Sequence, residues 1–120
     1  MRSVTFVDDN DITLLESGVA FFPALIAALD AARHEVLFET YIFAEDETGD
    51  AVRDALARAA QRGVKVRVLV DWFGTGHRVT SRLGQVLTQA GAQYRVFNPL
   101  CKRGIARSHR KITVIDREVA

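Results

Sequence analysis

DAVRDALARAAQRGVKVRVLVD, residues 50–71, holds two periodicities back to back. Ala51, Val52, Ala55, Leu56 and Ala59 recur at helical spacing and form one apolar stripe. Gly63 stands where a helix C-terminus favours glycine, because that position takes a left-handed backbone. Val64, Val66, Val68 and Val70 then fall at every second position, which marks a strand with one apolar face. A helix feeding straight into a strand is half of a β-α-β unit.

Reading outward finds the same alternation. Upstream, residues 18–33 place Phe22, Leu25, Ile26 and Leu29 at helical spacing, with Ser17 as a cap and Pro23 expected in the first turn. Residues 35–43 (EVLFETYIF) read as a strand with apolar residues on both faces, which predicts burial on both sides. Downstream come a loop with two glycines (WFGTGHRVT), a weaker helix over 81–92 ending near Gly91, and a short strand, QYRVF. An irregular stretch, NPLCKRGIARS, leads to a last strand, HRKITVID. The order predicts an α/β fold, with helices flanking a mainly parallel or mixed β-sheet. No internal repeat or linker interrupts it. The chain ends at Arg-Glu-Val-Ala, midway into what reads as a further strand, so residues 1–120 are expected to be part of a longer domain.

Bulk properties narrow the class. One hundred and twenty residues form one domain, and 48% hydrophobic with 26% charged residues describes a globular chain rather than a disordered one. The net charge of +1 gives no global reason for a polyanionic partner. From Leu100 onward, however, six basic residues stand against two acidic ones, a local balance of +4. A single cysteine, Cys101, precludes an internal disulfide and points to a reducing compartment. No signal peptide is visible, and the most apolar stretch, Gly18–Leu29, is too short to span a bilayer.

The positive charge gathers at RSHRKITVID, residues 107–116. By strand parity His109, Lys111 and Thr113 share one face, and Arg110, Ile112, Val114 and Asp116 the other. A titratable nitrogen beside a fixed cation suits phosphoryl chemistry: imidazole attacks or donates a proton while ammonium neutralises phosphate oxygens. A solvated edge strand, kept from aggregating by its basic side chains, reads equally well from the same residues. Arg107 extends the cationic row if the strand reaches back that far. Glu39 and Tyr41 lie on one face of an otherwise apolar strand and are candidates for the edge of a substrate site or for a structural hydrogen bond.

Asp71, at the C-terminal end of the valine strand, occupies the usual ligand edge of an α/β sheet, although helix capping also explains it. The Gly74-Thr75-Gly76 loop lacks the further residues of a nucleotide cradle. Asp8, Asp9 and Asp11 lack the glycine and glutamate of a calcium loop, and Cys101 with the histidines has no zinc spacing. No metal and no cofactor is expected. His34 reads as surface, and no motif supports His77. The loop 98–108 mixes apolar and basic residues, as a segment resting on an anionic bilayer does, and as an ordinary solvated loop also does.

His109-Arg110-Lys111-Ile112-Thr113-Val114-Ile115-Asp116 fits H-x-K-x-x-x-x-D and resembles the signature of the phospholipase D superfamily. With LFETYIFAEDETGD and AAQRGVKVRVLVDWFGTG upstream, the chain looks like the amino-terminal part of a bacterial cardiolipin synthase of the B-type branch. The resemblance implies an α-β-α sandwich and a metal-free phosphatidyl transfer through a phosphohistidine. In that scheme two His-Lys motifs meet at one site, and this chain carries the first. His109 would be the nucleophile and Lys111 a phosphate clamp. Asp116 completes the motif in a supporting role, with Arg107, Glu39 and Tyr41 on the substrate side. A Gly-Gly-x-Asn-like stretch that follows the motif in the family, and a second H-x-K, are both missing from this sequence. The implied partners are phosphatidylglycerol, a peripheral membrane surface at the bacterial cytoplasmic side and the second motif half, with self-association of the isolated chain expected and nucleic acid not. A phosphodiesterase or nuclease completed by dimerisation, and a binding module retaining the motif, are the alternatives.

Overall fold

The computed structural model describes residues 3–120. Four long-range elements build the frame: helix α1 (Ser17–Ala31), strand β1 (Glu35–Thr40), helix α2 (Glu47–Gln61) and strand β2 (Lys65–Asp71). A four-residue helical turn α3 (Trp72–Thr75), helix α4 (His77–Gln89), strand β3 (Gln93–Phe97), a 3-10 turn (Pro99–Cys101) and strand β4 (Lys111–Ile115) follow. The sheet runs β3-β2-β1-β4. β1–β2 and β2–β3 are parallel, and β4 joins β1 antiparallel with Thr40 opposite Lys111 and Val36 opposite Ile115. This is the mixed, helix-flanked sheet that the periodicities predict.

The core lies on one face of it. Val36, Val66, Val68 and Val70 are buried together with Leu25 and Leu29 of α1, Val52 and Leu56 of α2, and Leu83 and Leu87 of α4. The alternate face carries Arg67, Arg95 and Ile112, all exposed, and Leu37, which is 36% exposed. Burial on both sides of β1 is therefore not met within the described residues, because α1, α2 and α4 all pack on the valine side.

Local chemistry explains the boundaries. Asp46 caps α2 by accepting the Gly49 N–H at 2.7 Å, and a Cβ on Gly49 would stand 1.9 Å from the Ala44 carbonyl oxygen. Gly63 takes φ +91° while its N–H bonds the Ala60 carbonyl, closing the helix where the sequence places the glycine. The Arg58 guanidinium forks onto Asp30 at 2.9 and 3.0 Å, tying α2 to α1. Pro23 differs from expectation: it sits inside α1, in its second turn, on an exposed stretch. Its missing N–H frees the carbonyl of Val19, and Val19 is itself exposed, so water can take that acceptor. α4 begins at His77, four residues before the expected 81, since Thr80 and Ser81 hydroxyls both donate to the His77 carbonyl at its first turn.

A one-sided core makes a simple contrast. Leu56→Ala empties a fully buried position and should cost about 2–5 kcal/mol in denaturant unfolding. Leu37→Ala on the open face should cost about 1 kcal/mol or less. Equal losses would place a second core on that face.

Candidate active site

The site grows from the C-terminal edge of β2. Asp71 is 1% exposed, and a buried carboxylate needs donors. Its Oδ1 accepts the N–H groups of Phe73 (2.9 Å) and Gly74 (3.0 Å), which winds Trp72–Thr75 into α3 where the sequence suggests a plain loop. Its Oδ2 accepts the Ser108 N–H at 2.8 Å. One side chain thus caps a helical turn and anchors the residue just before His109.

Tyr41 supplies the floor. The Thr75 hydroxyl donates to the Tyr41 carbonyl at 3.1 Å and accepts the Phe43 N–H at 3.1 Å. Gly74 lies so close that a Cβ there would come within 2.4 Å of the Tyr41 oxygen. The His109 ring rests on the Tyr41 ring, with centroids 4.6 Å apart and planes tilted by 54°. Lys111 Nζ is 5.7 Å from the same ring centroid, 3.0 Å from His109 Nε2 and 3.2 Å from Nδ1. Imidazole and ammonium are adjacent, exposed and on one side, so a single phosphate group can touch both. A groove of about 600 Å³ runs up to Lys111, lined by Phe22, Leu25, Phe38, Phe43 and Ile115.

The other sequence candidates separate. Glu39 accepts the Ser108 hydroxyl through Oε1, and its Oε2 lies 3.9 Å from the Arg110 guanidinium; it braces the strand entry. Arg107 does not extend the row formed by His109 and Lys111. Residues 106–110 are not strand, so the two-residue period stops short of them, and the Arg107 guanidinium lies 3.9 Å over the Phe73 ring. Asp116 sits at the far end of β4, five residues beyond Lys111 and on the order of 16 Å along the strand. Its carboxylate accepts the N–H groups of Arg33 (2.9 Å), His34 (2.7 Å) and Glu35 (2.9 Å), pinning the α1–β1 turn to β4. Asp116 and Arg117 both take left-handed φ, of 52° and 60°, in the turn that returns Val119 beside Ile115. His77 starts α4 and His34 lies in the α1–β1 turn, both exposed. Among the described residues no cluster of His, Cys, Asp or Glu is arranged to hold a metal ion, and no helix is long and apolar enough to cross a membrane.

Sequence reasoning missed Ser108 and Phe73. Ser108 takes both Asp71 and Glu39, partners 37 and 69 residues away, and no local signal announces such pairings.

Solved structures share this architecture. The phospholipase D family member Nuc from Salmonella typhimurium superposes with a TM-score of 0.63 at 21% identity, covering 78% of this chain and 56% of that one. NucT from Helicobacter pylori does so with a TM-score of 0.53 at 21% identity, over 78% and 58%. The fold is thus that of phospholipase D-like proteins. Residues 25–120 match the family model described as cardiolipin synthase, PLD-like domain, and the chain belongs to that family. Cardiolipin synthase B from Salmonella typhimurium is 40% identical over 119 residues, and that from Escherichia coli K12 is 37% identical; each alignment covers 94% of this chain and 29% of the relative. Cardiolipin synthase 1 from Bacillus anthracis is 33% identical over 93% of this chain and 23% of its own length. The chain spans less than a third of the curated relatives it matches.

The three N–H bonds hold the Asp116 carboxyl below its ordinary range, with the Arg33 N–H the largest contributor. A depressed folded-state value stabilises above the unfolded value, about pH 4, and is lost as pH falls through the folded one. Asp116→Asn should therefore lower Tm at neutral pH and flatten its fall below about pH 4. Thermal melts over a pH series that superimpose for the two proteins would contradict the anchor.

Proposed function

We propose that this chain contributes one His-Lys half of a phosphatidyltransferase site of the cardiolipin synthase kind, within a polypeptide of greater length. The observation that carries it is the contact between Lys111 Nζ and the His109 ring above Tyr41. The 37–40% identity to cardiolipin synthases B supports the reaction class, and their greater length supports a second half outside these residues.

In this reading an unprotonated ring nitrogen of His109 attacks phosphorus of phosphatidylglycerol. A nitrogen–phosphorus bond forms, the phosphorus–oxygen bond to the departing glycerol breaks, and a histidine of the second half protonates the alkoxide. The hydroxyl of a second phosphatidylglycerol then attacks phosphorus, gives its proton to that same histidine, and returns the bonding pair to His109. Lys111 neutralises the non-bridging oxygens, whose charge rises in the transition state. Asp71, Glu39 and Asp116 position the strand rather than touch substrate. The apolar groove ending at Lys111 favours a lipid over a nucleic acid: an acyl chain fills it while the phosphate meets the cation.

In the full-length parent, His109→Ala should lower cardiolipin formation by at least about a thousandfold. Lys111→Ala should cost about 100- to 1000-fold, as loss of one transition-state donor does. Thin-layer chromatography of products, with circular dichroism as a folding check, reads both. Wild-type turnover by either folded variant would overturn the assignment, and cleavage of DNA in place of lipid would move the chain to the nuclease reading.

A further inference from the structure

The loop between β3 and β4 turns Asn98 inward and Leu100 and Ile105 outward. Asn98, 7% exposed, donates through Nδ2 to the carbonyls of Gly104 (3.1 Å) and Ala106 (3.0 Å) and accepts the Arg103 N–H at 2.7 Å. Around that hub Asn98, Leu100 and Cys101 take left-handed φ of 47°, 57° and 52°. Leucine rarely adopts such a backbone, so the hub holds a costly shape. What the shape displays is Leu100, 61% exposed, and Ile105, 90% exposed. The loop packs on α3, where Phe73 is a third exposed apolar side chain, with Arg107 laid over it.

Charge completes the pattern. From Trp72 to Ile115 the chain carries eight Lys or Arg residues and no Asp or Glu. Lys102 and Arg103 stand between the apolar tips in sequence, are exposed, and form no ion pair among the described residues. Apolar tips with unpaired cations between them in sequence match an anionic lipid surface: the tips enter the headgroup–acyl boundary and the cations meet lipid phosphates. A nucleic acid would use the cations but leave Leu100 and Ile105 stranded in water.

We infer that Phe73, Leu100 and Ile105, with Lys102 and Arg103, form a docking surface for an anionic bilayer. It lies at the same sheet edge as His109, since Asp71 joins α3 to Ser108. The inference deepens the phosphatidyltransferase reading by naming the surface through which the site meets its lipid. Vesicle binding is measured without turnover, so the two can fail separately.

The test is co-sedimentation of the full-length parent with vesicles of phosphatidylcholine, alone or doped with phosphatidylglycerol, at fixed ionic strength. The parent should bind the doped vesicles and not the neutral ones. Lys102→Gln with Arg103→Gln should lower partitioning about 25-fold, at about fivefold per cation. Leu100→Ser with Ile105→Ser should abolish sedimentation. The two double variants act through different chemistry, so if one misfolds in near-ultraviolet circular dichroism the other still decides. Absence of wild-type binding, equal binding to neutral vesicles, or folded variants that sediment like wild type would each overturn the surface. Retention on a DNA duplex lost in the Gln variant, with vesicles ignored, would assign it to nucleic acid instead.

Discussion

A buried carboxylate ties together two parts of the chain that lie far apart in sequence. Asp71 ends the valine strand, and its two oxygens hold α3 on one side and the Ser108 N–H on the other. Three N–H donors offset the hydration it loses, which is the condition for keeping a carboxylate inside. Residues 98–110 have no sheet of their own. Without Asp71 the entry to β4 would rest on the β1 ladder and on the Ser108 hydroxyl's bond to Glu39, and His109 lies outside that ladder. Gly74 and Thr75, fixed by the same cap, hold Tyr41 beneath the imidazole. The position of the His-Lys pair thus follows from the way one aspartate is satisfied.

Carboxylates do similar work along the whole of β4. Glu39 holds the entry through Ser108, and Asp116 holds the exit through three backbone N–H groups. Between them the strand pairs with β1 over five residues, and the His109–Lys111 pair is presented at its entry end. An antiparallel edge strand added to a parallel sheet gains no covering helix of its own from a crossover. Bracing at both ends supplies the order that packing on one face leaves incomplete.

Much of this was legible from residue order. The helix-to-strand switch at Gly63 and the alternating valines of β2 are local signals, and the structure follows them. His109 and Lys111 do lie on one side, but His109 precedes the strand and is held there by the Ser108 anchor and the Tyr41 ring rather than by strand parity. What was not legible depends on long-range contact. That α1, α2 and α4 share one face is a matter of chain path, which the apolar residues on both faces of β1 cannot reveal. Arg107 departs from parity because the strand begins only at Lys111 and Phe73 offers a closer partner. Pro23 is tolerated within α1 because its freed carbonyl faces water, a property of the packed structure rather than of the motif around it.

On the proposed phosphatidyltransferase reading, His109 above Tyr41 is a nucleophile toward a lipid phosphodiester. Rapid denaturing quench of the full-length parent during turnover of labelled phosphatidylglycerol, followed by peptide mapping at neutral pH, tests it most directly. A phosphatidyl adduct on the peptide containing residues 107–116, located at His109, is the expected result. An adduct on another residue, or full turnover with no adduct on any histidine, would contradict it.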